Sequence, residues 1–270
     1  MYSIAIHRKV VVDGTLLHVA EAGSGPALVF FHGLGWTHAL WAAAFDRYAD
    51  RYRVIAGDTR GHGQSGKPEG PYSIARFAAD WTGALDALGV ENPILVGFSQ
   101  GGMIAQQMAV NAPSRYKALF LACTTSATNP VGFANMAARI KAMETEGAAA
   151  AARVALESVF SPAYRSTHAA QMEQFIRWRA AADQASLASA MLATRDYDVR
   201  AALGSLPMPR RVVCGGADAL TPPARVAETA SALGSVLHTM EGSGHMAQIE
   251  QPGRFYAELD SLLSEAANDS

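Results

Sequence analysis

Cysteine is nearly absent: only two occur in 270 residues, and neither they nor the eight histidines fall at the close spacing of a structural metal site. Cys123 and Cys214 each end an apolar, strand-like run (Ala118 to Cys123, Arg211 to Cys214), which reads as a buried free thiol rather than a disulfide or a nucleophile. Charge of one sign is also missing. The formal net charge is -2, with no basic stripe and no block of like charges, so nothing draws the chain to nucleic acid or to an anionic membrane. Met1 to Arg8 lacks the basic start, apolar stretch and small-residue cleavage site of a signal peptide, and no apolar run approaches a membrane span. These absences lead us to expect a soluble cytoplasmic protein with a small-molecule substrate, no nucleic-acid or membrane partner, no metal and no cofactor. A homo-oligomer stays open.

What is present is apolar: half the residues are hydrophobic and 17% are charged, and the length suits one large domain that carries an inserted subdomain. Ile6 to Val12 and Leu16 to Ala22 are β-prone runs joined at Asp13-Gly14, a hairpin signal. Ala27 to Phe31 is continuously apolar, as a strand buried on both faces must be. Beyond it, strands at Arg53 to Ala56, Pro93 to Val96 and Ala118 to Cys123 alternate with helices at about 38–50, 74–88 (capped by Ser73) and 103–112. Such alternation specifies a mostly parallel sheet covered by helices.

From about Thr124 to Leu206 the pattern becomes helical: alanine is abundant, methionine recurs and β-branched runs vanish. Strand character returns at Arg211 to Cys214, and a last strand, Val236 to Met240, is followed by a helix over about 252–264. The expected division is a core of residues 1–124 and 207–270, with 125–206 inserted between strands 6 and 7 as a helical cap.

Gly97-Phe98-Ser99-Gln100-Gly101 lies between a strand-like and a helix-like run. A serine on that sharp turn projects its hydroxyl outward, and the flanking glycines remove side chains that would block the bend. Three other strand ends carry complementary groups: His32-Gly33-Leu34-Gly35, Asp218 and His245. In a parallel sheet such ends share one edge. A serine hydroxyl needs a base within hydrogen-bond reach, a role for His245, and Asp218 would fix the tautomer of that imidazole. Backbone amides of Leu34 and Gln100 are the candidate oxyanion donors, the latter helped by a helix dipole. Asp218 as a plain helix cap and His245 as a surface turn residue are the bland alternatives. His7, His18, His38, His168 and His238 read as exposed or hydrogen-bonded structural residues.

With these elements in order, the sequence resembles the α/β-hydrolase superfamily over nearly its whole length. The resemblance rests on the HG-type loop at 32–35, the Asp58-Thr59-Arg60-Gly61-His62-Gly63-Gln64-Ser65-Gly66 loop, the elbow at 97–101, the helical insertion, and the chain order Ser99, Asp218, His245. It implies an α/β-hydrolase fold: a mostly parallel eight-stranded sheet, helices on both faces and an inserted cap, with a structural role for His62. Around Ser99 and His245 the sequence is similar to 3-oxoadipate enol-lactonases and related esterases, which implies hydrolysis of a small carboxylic ester or lactone.

The same scaffold serves carbon-carbon hydrolases, which often carry tryptophan where Met246 stands, and cofactor-free haloperoxidases or perhydrolases, whose oxyanion loops usually differ from Leu34-Gly35. Dehalogenases and epoxide hydrolases need a carboxylate at Ser99. A ligand-binding receptor with an intact triad is the non-enzymatic alternative. For substrate contacts, Trp36 either packs in the core or lines the pocket. Arg177 and Arg179 would pair with a substrate carboxylate or, as helix-surface arginines more commonly do, stand in solvent.

Overall fold

A computed structural model describes residues 5–128 and 130–268. Met1 to Ile4, part of the segment read above against a signal peptide, lie outside the described residues. Eight strands form one sheet in the order β1-β2-β4-β3-β5-β6-β7-β8. They are β1 (Ile6–Val12), β2 (Thr15–Ala22), β3 (Ala27–Phe31), β4 (Arg53–Gly57), β5 (Ile94–Phe98), β6 (Ala118–Ala122), β7 (Arg210–Gly215) and β8 (Leu237–Met240). Only the β1–β2 and β2–β4 pairings are antiparallel. Asp13 and Gly14 turn the first hairpin with φ of 45° and 71°, the left-handed pair that matches the twist of two strands joined by a two-residue loop.

The central strands β3, β5 and β6 are buried at every residue, which is why their sequences are continuously apolar instead of alternating. Successive side chains point to opposite faces. Phe30 thus meets Trp41 at 4.9 Å between ring centroids, while Phe31 meets Trp81 at 4.9 Å. Trp41 closes a short 3₁₀ turn, His38–Trp41, that leads into α1 (Ala42–Tyr48), so the expected single helix over 38–50 is split. Trp81 belongs to α2 (Ile74–Ala87), whose N-cap Ser73 accepts the Arg76 amide at 3.0 Å. α3 (Gln100–Asn111) packs beside α2.

Between β6 and β7 the chain is helical, as its composition predicted: α4 (Pro130–Glu146), α5 (Ala148–Val159), α6 (Pro162–Thr167), α7 (Ala169–Ala180), α8 (Gln184–Leu192) and α9 (Arg200–Leu203). The insertion leaves and returns through one neck. There Ala127 and Asp198 form an isolated antiparallel bridge, and the Val199 amide donates to the Ser126 carbonyl at 3.0 Å. The chain closes with α10 (Pro223–Leu233), α11 (Ala247–Glu250) and α12 (Pro252–Asn268). α12 shares the Trp41 face of the sheet, where Phe255 lies 5.3 Å from Phe120. Among the described residues, no helix is long and apolar enough to cross a membrane.

Asp58 organises the loop after β4. Its Oδ1 accepts the His38 amide and the His38 ring nitrogen Nδ1, both at 2.8 Å, and its Oδ2 accepts the Gln64 amide at 2.8 Å. Burial opposes its ionisation, but the close His18 imidazole, the hydrogen bond from His38 and the proximity of His32 outweigh that penalty and hold the carboxyl well below the usual range. A depressed folded pKa stabilises the fold fully above the unfolded value of about 3.9 and ceases to do so as pH falls towards the folded one. Urea unfolding should therefore show the stability gap between wild type and Asp58→Asn narrowing as pH drops below about 4. A gap constant down to pH about 3 would contradict this assignment.

Candidate active site

The turn after β5 is built for close contact. Ser99 holds φ 54° and ψ -121°, a conformation that few non-glycine residues adopt and that points the hydroxyl away from both strand and helix. A Cβ on Gly101 would stand 2.3 Å from the Phe31 carbonyl oxygen, so the helix reaches β3 only because that position is glycine.

His245, in the loop after β8, sets its Nε2 3.0 Å from Ser99 Oγ and its Nδ1 2.8 Å from Asp218 Oδ2. Both Asp218 and His245 are buried, whereas Ser99 is half-buried and reachable. Asp218 is not the helix cap of the alternative reading, because the N-cap of α10 is Pro222 with no side-chain bond; its Oδ1 instead accepts the amides of Leu220 and Thr221 at 2.8 Å each, in the turn before that helix. One carboxylate thus fixes the turn with one oxygen and the imidazole with the other. Charge on a buried carboxylate is tolerable because its oxygens are saturated in this way.

The loop after β3 is fixed from behind. The Thr59 amide donates to His32 Nε2 at 2.9 Å, which leaves the ring proton on Nδ1, donated to the Gly33 carbonyl at 2.8 Å. Burial pushes His32 below its usual pKa, keeping it neutral for this arrangement. The Gly33 carbonyl also accepts the Trp36 amide at 3.1 Å. Across a planar trans peptide the N–H opposes the carbonyl, so the Leu34 N–H faces away from these partners.

The same reasoning applies to Gln100. The Ser99 carbonyl accepts the amides of Gly102 and Met103 and the Thr124 hydroxyl, and the Gln100 N–H therefore emerges at the open end of α3. Its side chain is locked elsewhere, donating to the Ala190 carbonyl of α8 at 2.6 Å.

The structure separates the two arginines of α7. Arg177 is exposed, as a solvated helix-surface residue should be. Arg179, for which the same surface position was the more common outcome, is instead buried at 6% exposure, and its Nη1 donates to the Leu34 carbonyl at 3.1 Å. A helix repeats every 3.6 residues, so two positions apart on α7 face different environments. Gly35, at φ 69°, makes room for Arg179, because a Cβ there would overlap the guanidinium at 1.1 Å from Nη1. Burial, then the proximity of Arg139, lowers Arg179 to about 9. Trp36 is half-buried and packs against the core. Its ring lies tilted against Trp178 at 4.8 Å and Phe175 at 5.5 Å between centroids, and with them lines an apolar cavity of about 290 Å³ whose walls include neither Ser99 nor His245.

Several contributors carried no sequence signal. Thr221 Oγ1 lies 2.7 Å from Asp218 Oδ2, 3.2 Å from His245 Nδ1 and 3.1 Å from the Cys123 carbonyl. Glu250 accepts the amides of Gly244 at 3.0 Å and Ser161 at 3.2 Å, tying the His245 loop to the inserted helices. Cys123 and Cys214 are buried and free, and burial pushes both thiols up, as expected of inert cysteines. His62 is buried and pushed down to about 3 by burial, its Nδ1 on the Arg60 carbonyl at 3.1 Å.

The sequence pattern of the alpha/beta hydrolase fold matches residues 26–252. The chain belongs to that family. Among characterised α/β-hydrolases, 3-oxoadipate enol-lactonase 2 of Acinetobacter baylyi is 29% identical over 242 residues, 88% of each chain. Among solved structures, a hydrolase from Pseudomonas aeruginosa PA01 is 31% identical with a TM-score of 0.88, over 95% of this chain and 98% of that one. The enol-lactonase from Burkholderia xenovorans LB400 is 26% identical with a TM-score of 0.87, over 95% of this α/β-hydrolase and 100% of its own chain.

Proposed function

We propose that this α/β-hydrolase is a serine hydrolase that opens a small carboxylic ester or lactone through an acyl-enzyme on Ser99. The observation that carries the reading is the chain Ser99 Oγ, His245, Asp218, with hydrogen-bond distances of 3.0 and 2.8 Å, at a strained strand-helix turn. In acylation, His245 Nε2 takes the Ser99 proton as Oγ bonds to the carbonyl carbon. The resulting oxyanion lies against the N–H groups of Leu34 and Gln100. Collapse breaks the acyl-oxygen bond, and His245 returns the proton to the leaving oxygen. Water, deprotonated by the same imidazole, then releases the acid.

The relatives named as enol-lactonases support this choice of bond. The helices over 130–203 act in this reading as the cap that selects the acyl group, and Gln100 and Glu250 tie them to the reacting loops.

Arg179 narrows the substrate class. No carboxylate pairs with Arg179 or Arg139 among the described residues, and a buried cation without a counter-ion is costly. A substrate bearing a carboxylate would supply the missing charge. Arg179→Gln should raise KM for a p-nitrophenyl half-ester of a dicarboxylic acid by about 10- to 100-fold, the worth of a charge-assisted hydrogen bond. KM for p-nitrophenyl acetate should change little. Equal losses on both esters, appearing in kcat, would mean that Arg179 only props the Leu34 carbonyl.

The central reading is tested by a fluorophosphonate probe. One covalent adduct on Ser99 is expected, and no labelling under conditions that modify a control esterase would favour a binding protein on a hydrolase scaffold.

A further inference from the structure

The hairpin edge of the sheet carries a cluster that the proposed chemistry does not use. In the β1–β2 register His7 lies opposite Ala20 and His18 opposite Lys9, which makes His7 and His18 diagonal neighbours on one face. Their rings stack at 5.1 Å, with His7 Nδ1 only 2.9 Å from His18 Nε2. His38, at the start of the 3₁₀ turn, closes edge-on to 4.5 Å from His18 and 5.6 Å from His7, measured between ring centroids. One ring nitrogen from each of the three lies within 4.8 Å of those of the other two. The cluster opens to solvent at His7, which is exposed, whereas His18 and His38 are buried.

We propose that His7, His18 and His38 form a binding site for a divalent transition-metal ion of the zinc class, with Asp58 as the carboxylate that orients the ligands. Zinc holds imidazole nitrogens at about 2.0–2.1 Å, so two nitrogens 2.9 Å apart subtend roughly 90° at the ion. Opening that pair by about 0.4 Å gives the tetrahedral angle. Such a shift lies within the reach of His7, whose ring stands at the surface of the edge strand.

Behind the rings, Asp58 Oδ1 holds His38 Nδ1 at 2.8 Å, and Oδ2 stands 3.2 Å from His18 Nδ1. A carboxylate at the far nitrogen of a histidine is the arrangement that fixes ring orientation and raises ligand basicity in metal sites. His18 Nδ1 is buried and, although near Asp58, makes no well-aligned hydrogen bond. Imidazole donors suit zinc, nickel and copper rather than magnesium or calcium.

Untagged full-length protein, stripped with chelator and dialysed, is titrated with Zn²⁺ by calorimetry and with Co²⁺ by visible absorption. The expected result is saturation at one ion per chain with a cobalt d–d band, and a loss of affinity in His7→Ala of at least about 10- to 100-fold, the scale on which loss of an outer-shell partner alone already acts. His7 is exposed, so this variant should keep the wild-type melting temperature, and Ser99→Ala should bind metal as wild type does. Absence of saturable binding in the wild type, or undiminished affinity in a folded His7→Ala, overturns the site and leaves a hydrogen-bonded histidine cluster.

Discussion

Ser99→Ala is expected to lower kcat for ester hydrolysis by about 10⁶-fold, the loss seen when the serine of a protease triad is removed alone. Alanine removes only Oγ. The strained turn depends on Gly101 meeting the Phe31 carbonyl and on the capped Ser99 carbonyl, and both survive the substitution. Circular dichroism and the melting temperature should match wild type. A residual acceleration of about 10³ to 10⁴ over water should remain, because the Leu34 and Gln100 amides are backbone groups that side-chain substitution leaves in place. A folded variant that keeps more than about a hundredth of wild-type kcat would show that another group attacks the substrate.

Asp218→Asn is expected to cost about 10⁴-fold in kcat at neutral pH. The asparagine oxygen can go on accepting the Leu220 and Thr221 amides, so the turn should hold. Its NH₂ would then face His245 Nδ1, which must present a lone pair, and the ring proton would move to Nε2. There it points at Ser99 Oγ and cannot accept the serine proton. Thr221 Oγ1, 3.2 Å from Nδ1, is a hydroxyl that can accept from that nitrogen but supplies no negative charge for the imidazolium. Rescue of the tautomer by Thr221 alone would leave a deficit of less than about tenfold, and that outcome would displace Asp218 from its assigned role. Since the Asp218 contribution is read in kcat, KM for the same ester should move little.

The order of strands and helices was legible because burial leaves a direct mark on composition. Ala27 to Phe31 and Ala118 to Ala122 have no polar residue because both faces of those strands are covered. Asp13-Gly14 and Ser73 fixed a turn and a cap through local backbone chemistry. Ser99, Asp218 and His245 were legible as strand-end residues, because a parallel sheet brings such ends to one edge whatever their separation in sequence.

The sequence by itself determined a parallel, helix-covered sheet, the inserted helices and the three residues that converge at its edge, since all of these follow from local patterns and chain order. Tertiary structure alone decided which arginine of α7 turns inward, since Arg177 and Arg179 share one helix and one chemistry and differ only in what packs against them. Tertiary structure also brought Thr221 beneath His245, tied Glu250 to Ser161, and gathered His7, His18 and His38 around Asp58. Each is a contact between segments with no common period or motif. Their meeting depends on strand register and on the path of the inserted helices, and neither is written in any local stretch of the chain.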